Sequence, residues 1–391
     1  MLVPGNSFPW DIVDSSGRML LPKGLTIPDA AQAKQLWTRG YFMEKDEPAA
    51  SAALSAQGQS PNQAAMSSWR VKPRQQDPST PKFFQAVSRL SLQLEEFFCE
   101  ILNGKSERFP ERFLDLSRAL QVQLAKDPDA FLASLELFEE ARYGTLHALH
   151  SASLCALVAV HQGLRSDQQR VLVAAALTRD VGFLELQDEL DHQSDALTPD
   201  QQEQVRTHPL ESARLLRAIG VEDKDWLSAI EQHHERLNGS GYPGGRSGGD
   251  ICPWARLLGI ADIYSAMTKP RAYRPAIQGP NVVHSIFQSR GSLVDENITQ
   301  TFIRILGVYP PGVLVRLSTD ETAVVTRRTE NLKCPEVRVV ADAGDKILQI
   351  YPTRDLADGI TIQEILPRAT PVRSRLNHRQ LWGEGPAALR R

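Results

Sequence analysis

The chain has 391 residues, 23% of them charged and 41% hydrophobic, with a formal net charge of −3. A length of this order predicts two or three structural units with real cores. The near-neutral balance excludes an electrostatic grip on a nucleic-acid polymer, while still allowing a local basic pocket for a small anion.

Residues 1–45 predict a small N-terminal unit. FPWDIVDSSGRMLLPKGLTI carries a hairpin-like turn at Ser15-Ser16-Gly17, and DAAQAKQLWTRG reads as a short helix stopped by Gly40. Residues 46–80 are rich in Ala, Ser, Gln and Pro and predict a flexible linker. From Pro81 the apolar residues recur at three- and four-residue intervals. Within 81–142, FFQAVSRLSLQLEEFFCEIL, FLDLSRALQVQLAKD and FLASLELFEEARY each read as a helix. These helices are expected to pack on the following core or to pair across a homodimer. Helical periodicity continues through 143–310, with loops at 190–200 and 236–253. In 311–366, GVLVRLSTDETAVVTRRTE and PEVRVVADAGDKILQIY alternate β-branched and polar residues between turn signals, which predicts a small antiparallel sheet. Arg316, Arg327 and Arg328 there read as a solvated strand face, with an acidic partner as the alternative. Residues 367–391 read as a polar, frayed tail. The fold class is mainly α, with a small N-terminal unit and a small C-terminal β-rich extension.

Cys99, Cys155, Cys252 and Cys334 are scattered and form no CxxC pair, so they read as thiols of a reducing compartment. The opening MLVPGNSFPWDIVD lacks a charged region followed by an apolar one, and no apolar run approaches the roughly 18 residues that span a bilayer. The expectation is a cytoplasmic, soluble protein that does not engage membranes.

Seven of the nine histidines lie between 147 and 234, interleaved with or close to Asp180 and Asp262. Each has an ordinary reading by itself. His150 sits in the apolar stretch LHSASLCALVAV as a core residue would. Asp180 suits a helix-end carboxylate paired with Arg179. His208, before Pro209, suits a helix cap. His233-His234 suits a surface pair, and Asp262 a buried carboxylate with a partner. Five such passages in one helical region are harder to explain singly, because burying many polar groups is costly unless they share a purpose. A divalent-metal site is such a purpose. Imidazole and carboxylate suit iron (Fe), manganese (Mn), zinc or nickel. Two ions bridged by an aspartate clamp both oxygens of an in-line phosphodiester displacement and activate water.

YGTLHALHS, ALTRDVG, THPLESA, EQHHERLNGSGYP and GIADIYSAMTKPRAYR resemble, in order and interval, the HD-GYP branch of the HD superfamily of phosphohydrolases, over about Tyr143 to Arg274. The resemblance implies a helical domain with a bi- or trinuclear site, often containing iron, that cleaves cyclic di-GMP to pGpG or GMP. It implies His150, Asp180, His208, His233, His234 and Asp262 as metal ligands, with Asp180 bridging and catalytic. It implies Arg271 as a holder of the substrate phosphate. The loop Gly241, Tyr242 and Pro243 is linked in the family to GGDEF-type diguanylate cyclases.

The departures cluster on metal and phosphate functions. The His of the paired His-Asp is Arg179, whose guanidinium has no lone pair to donate and stays positive. Arg179 is expected either to pair with the carboxylates in place of an ion or to contact substrate. Phe183 stands for a lysine, Leu146 for the carboxylate of the trinuclear subset, Ser265 for a polar or charged residue, Asn238 for Asp and Ser212 for Gly. His147, one turn before His150, is an alternative ligand. The expectation is one ion (Fe or Mn) or none. The function that follows is a degenerate member acting in cyclic di-GMP signalling, by binding the nucleotide or a GGDEF-type partner with weak or no hydrolysis. An active phosphodiesterase and a protein scaffold with an empty pocket are the alternatives.

Overall fold

The computed structural model describes residues 11–13, 19–21, 41–43, 81–104, 108–269, 277, 279–356, 359–368 and 370–382. The chain divides into two compact units, Met1–Gln63 and Ala64–Arg391.

In the first unit, β1 (Asp11–Val13), β2 (Met19–Leu21) and β3 (Tyr41–Met43) form a sheet in the order β2-β1-β3. Val13 pairs antiparallel with Met19, as a hairpin requires. The turn residues Ser15-Ser16-Gly17, the helix expected at 29–40 and the linker at 46–80 lie outside the described residues.

The second unit begins with α1 (Lys82–Leu102), whose buried Val87, Leu90, Leu94, Phe97, Phe98 and Ile101 form one apolar stripe. Against it lies α2 (Phe109–Lys126), where Phe97 meets Phe113 edge-on at 5.1 Å between ring centroids. Asp127 ends α2 and caps α3 (Pro128–Leu137), accepting from the Ala130 amide at 3.0 Å. These three helices pack on the core that follows, Phe113 reaching Trp226.

That core is built around α4 (Tyr143–His161), in which every residue from Gly144 to Ala159 is buried. By length and composition α4 would pass as a membrane span, contrary to the expectation from sequence, but a helix apolar on all sides is also what the centre of a bundle needs. Its main neighbour is α5 (Ser166–Thr178), where Ala174, Ala175 and Ala176 allow close approach. Then come α6 (Leu184–His192), α7 (Pro199–Ala218), α8 (Lys224–Gln232) and α9 (Pro253–Thr268). The Thr198/Gln201 capping box starts α7, and Asp223 caps α8. The helical part closes with α10 (Gly279–Gln288) and α11 (Glu296–Leu306).

Five antiparallel strands follow: β4 (Leu314–Leu317), β5 (Thr322–Arg327), β6 (Glu336–Ala341), β7 (Thr353–Arg354) and β8 (Ile362–Ile365), in the order β7-β6-β5-β4-β8. Val315, Leu317, Val325, Val337 and Val339 fill a small core of their own. The sheet arginines are used internally: Arg327 pairs with Asp127 at 2.7 Å, Arg316 with Asp345 at 2.9 Å, and Arg328 with Asp129. Residues 370–382 are not frayed. They bury Val372, Arg373 and Leu381, and His378 stacks on Phe84 at 4.3 Å.

Candidate functional site

The apolar run of α5 ends at Thr178, whose hydroxyl donates to the Ala174 carbonyl at 2.7 Å and accepts from Trp226 Nε1 at 2.9 Å. This ties the end of α5 to α8 and fixes the turn Arg179-Asp180-Val181-Gly182. Gly182 permits a close approach to α7, since a Cβ there would lie 2.7 Å from the Ser212 nitrogen. Its amide donates to Ser212 Oγ at 3.0 Å, so the serine that departs from the family's glycine is an acceptor for this turn.

His208 stands in the middle of α7 rather than at a helix start, which corrects the cap reading. Its neighbour Pro209 has no N–H to give the Val205 carbonyl four residues back. The His208 ring takes that place, with Nδ1 2.7 Å from Val205 O. A carbonyl only accepts, so Nδ1 carries a proton and Nε2 is the ring atom turned toward the site. The same logic holds for His233 at the end of α8, where carbonyls run out of helical donors: its Nδ1 lies 2.6 Å from Ile230 O. Both Nε2 atoms are buried without a hydrogen-bond partner. His208 Nε2 faces Asp180 Oδ1 at 3.5 Å. Ring nitrogens of His208, His233 and His234 lie within 4.8 Å of one another. Burial pushes the His233 imidazole down to about 4, and burial with the adjoining His233 pushes His234 well below its ordinary value, so both are neutral donors of lone pairs. Phe183 stacks on His208 at 4.9 Å, and Tyr242 on His234 at 4.5 Å. Three converging imidazoles beside a carboxylate, two of them with a buried Nε2 that has no hydrogen-bond partner, fit a divalent cation.

The second half of the site joins α4, α5 and α9. His147, Asp180 and Asp262 form a second group with metal-ligand spacing. Here Arg179 intervenes, fully buried. Its Nε donates to Asp262 Oδ1 at 3.0 Å, Nη2 lies 3.0 Å from the same oxygen and 3.2 Å from Asp180 Oδ2, and Nη1 donates to the Ala176 carbonyl at 2.7 Å. Burial by itself would raise both carboxyls, but the guanidinium overrides it and holds Asp180 and Asp262 below the usual carboxylate range. His147 Nε2 lies 2.9 Å from Asp262 Oδ1, and Nδ1 2.8 Å from Ser265 Oγ. With the proton on Nε2, the ring donates to Asp262, and Nδ1 faces the Ser265 hydroxyl, which also donates to the His147 carbonyl at 3.3 Å. Burial and then Arg179 keep this imidazole below its ordinary value.

His150 is not part of this group. The structure places His147 against the carboxylates and His150, one turn on, beside Tyr264 and the wall of a separate cavity that Leu146 also lines. Of the residues expected at the site, Asp180, His208, His233, His234, Asp262 and Arg179 are brought together. Arg271 lies outside the described residues. The loop of Gly241, Tyr242 and Pro243 adjoins the histidines, with the Tyr242 amide donating to the His234 carbonyl at 3.3 Å. Glu235, the residue after His233-His234, holds that loop. Its buried carboxylate accepts from the Gly244 amide at 2.7 Å and the Arg246 amide at 2.9 Å. A carboxylate shortly before a glycine-rich loop, whose amides need acceptors, was the available signal. Asn238 Oδ1 accepts from the Ser240 amide at 3.0 Å within the same loop.

Residues 120–298 match the family model described as HD domain. The chain is similar to a cyclic di-GMP phosphodiesterase of Pseudomonas aeruginosa, with 27% identity over 60% of this chain and 56% of that protein. It is 28% identical to the cyclic di-GMP phosphodiesterase response regulator RpfG of Xanthomonas campestris over 56% of this chain and 54% of that one. It is 32% identical to a 3'3'-cGAMP-specific phosphodiesterase of Vibrio cholerae over 33% of this chain and 30% of that one. The chain thus spans little more than half the length of the first two relatives and under a third of the third. Among solved structures, an HDG"Y"P protein from Bdellovibrio bacteriovorus aligns with a TM-score of 0.47 and 16% identity, over 78% of this chain and 96% of that one.

Proposed function

We propose that this chain is an HD-GYP-type protein that engages a cyclic dinucleotide at the His/Asp centre and hydrolyses it weakly or not at all. One observation carries the reading: the Arg179 guanidinium lies 3.0 Å from Asp262 and 3.2 Å from Asp180, where a cation shared by those carboxylates would sit. A positive group already there repels a second cation and occupies oxygens of both ligands. The similarity to phosphodiesterases acting on cyclic di-GMP and 3'3'-cGAMP supports the ligand class. The loop of Gly241, Tyr242 and Pro243 is, in this reading, where a GGDEF-type partner docks.

A second reading rests on the orphaned Nε2 atoms of His208 and His233. His208, His233, His234 and Asp180 would hold one ion, iron or manganese. Such an ion, when bound, supplies Lewis acidity toward a phosphodiester. In that case His208 and His233 are fixed by their Nδ1–carbonyl bonds, Phe183 and Tyr242 exclude water from the flanking ring faces, and Arg179 neutralises phosphate charge that develops in the reaction.

The deciding experiment measures metal content and turnover of cyclic di-GMP and 3'3'-cGAMP by the wild type and by Arg179→His, with Mn(II) or Fe(II) under reducing conditions. The first reading expects one equivalent of metal or less, nucleotide binding, and product only from the variant. Two equivalents of metal and steady formation of pGpG or GMP by the wild type would sink it.

A further inference from the structure

Three imidazoles point into the His/Asp centre, and two of them carry their own anchor. His208 and His233 are each fixed by an Nδ1 bond to a helix carbonyl, at 2.7 Å to Val205 and 2.6 Å to Ile230. His234 is different. Among the described residues its ring makes no hydrogen bond, and Asp262 Oδ2, at 3.9 Å from Nδ1, is too far for one. What lies against it is the Tyr242 ring, stacked at 4.5 Å between centroids and 25° between planes. A ligand imidazole ordinarily has its orientation set by a bond from its other nitrogen. For His234 the ring of a loop residue takes that part.

The Tyr242 ring is only as fixed as its loop. The Tyr242 amide donates to the His234 carbonyl at 3.3 Å, and a Cβ on Gly241 would lie 2.4 Å from Glu235 Cα, so two stretches of backbone touch. Beyond Pro243 the chain runs out into residues 244–247, which are exposed. Glu235 reaches beneath this turn. Its carboxylate accepts from the Gly244 amide at 2.7 Å and the Arg246 amide at 2.9 Å, in a residue only 5% exposed. Water would satisfy the amides of an exposed turn at no cost, whereas burying a carboxylate is costly and two charge-assisted bonds offset it. The outcome is a turn held in one place. The backbone of the histidine pair is held from the other side by α9: Gln232 accepts from the Cys252 amide at 2.8 Å, and a Cβ on Gly259 would lie 2.5 Å from the His233 carbonyl. The freedom left to the His234 ring is therefore the freedom of the loop.

We infer that Glu235 is a positioning residue for His234: by clasping the turn at Gly244 and Arg246 it keeps Tyr242 on the imidazole and sets that ring's aim into the centre. This rests on the reading in which His208, His233, His234 and Asp180 hold one ion. It adds regulation to that reading. Coupling between two sites is reciprocal, so an ion in the centre steadies the exposed turn, and a partner that grips the turn changes the hold on the ion.

The test uses the full chain with Co(II) as the probe, whose visible absorption reports the ligands around it. Co(II) is expected to slow hydrogen exchange at the Gly244 and Arg246 amides of the wild type. Glu235→Ala should weaken Co(II) by at least about tenfold, alter its spectrum and abolish the effect on exchange. Glu235→Gln keeps an oxygen for one of the two amides and should fall between. Asp223→Ala, which removes the cap of α8, should leave affinity and spectrum unchanged. The inference is overturned if Glu235→Ala keeps the wild-type affinity and spectrum, if Asp223→Ala weakens Co(II) as much, or if Co(II) leaves exchange in the wild-type turn unaltered. Should Glu235→Ala fail to fold, Glu235→Gln and Tyr242→Leu carry the test, and wild-type affinity in both refutes the inference. A wild type that takes up no Co(II) sinks the one-ion reading and the inference together; normal uptake by wild type and variants alike sinks the inference alone.

Discussion

Replacing Arg179 with methionine removes the cation from between two buried carboxylates while keeping much of the side chain's bulk. The wild-type guanidinium makes its ion pairs at 3.0 Å to Asp262 and 3.2 Å to Asp180. At an effective dielectric constant near 20, each pair at that range is worth roughly 5 kcal/mol before desolvation is counted. Removing one partner of a buried pair costs about 3–5 kcal/mol net, because the orphaned charge stays buried. The expected drop in melting temperature is on the order of 10 °C at neutral pH without metal. The sign with pH is set by the carboxyls, which Arg179 holds below their ordinary range. The wild type's own contribution is therefore full above the unfolded carboxylate pKa near 4 and is lost as pH falls through the depressed folded values, and its gap to the variant, in which burial raises the same carboxyls, widens as pH rises above that range. The variant also opens both carboxylates to a divalent cation. Mn(II) at about 100 times its Kd should restore roughly 2.7 kcal/mol to the variant and less to the wild type. Calorimetry of both proteins, with chelator and with Mn(II), measures all of this. A variant as stable as the wild type, with no added response to manganese, would show that Arg179 does not compensate Asp180 and Asp262.

His208→Phe should lower metal retention by at least about tenfold; it keeps an aromatic ring against Phe183 but leaves the Val205 carbonyl without its ring donor, so metal-free stability should fall by about 1–3 kcal/mol; full metal retention in elemental analysis would remove His208 from the ligand set. Lys269 is held at about 7 by burial and by Arg368, and Glu136, Arg373, Glu139 and the neutral His150 complete its surroundings. A lysine whose folded pKa is depressed costs stability while charged, so the wild type should gain on Lys269→Met as pH rises from about 7 to 9, by up to about 1.4 kcal/mol per pH unit. Parallel pH–stability curves would refute this. Gly241→Ala puts a Cβ 2.4 Å from Glu235 Cα and 2.5 Å from the His234 carbonyl. That clash with backbone should cost about 1–3 kcal/mol and speed proteolysis at Gly241–Pro243; an unchanged melting curve and cleavage pattern would argue against the close approach.

Much of the architecture could be read directly from residue patterns. The stripe of α1, the Pro and Asp at the α2–α3 junction and the alternation in β4–β6 each carry a local signal strong enough to define an element. The chemistry of the site was legible for the same reason. Imidazoles and carboxylates in an apolar helical region must be accounted for, and a guanidinium cannot donate a lone pair wherever it points.

Other features had no local signature. The tail after Pro367 is polar in composition, yet Arg373 is buried because Glu136, more than two hundred residues earlier, lies beside it. The Glu136, Lys269 and Arg368 cluster has no spacing in the sequence for the same reason. The exchange of His150 for His147 is the clearest case. An amphipathic helix shows which side faces inward, but α4 is buried all round from Gly144 to Ala159, so its periodicity marks no face. The sequence determined that an apolar helix carries histidines along it and that a guanidinium, with no lone pair to give, directly precedes Asp180. Only the packing of α5 and α9 around α4 decided that His147 meets Asp262 while His150 turns to the cavity, because the rotation of a helix apolar on every side is set by its neighbours and not by its own residues.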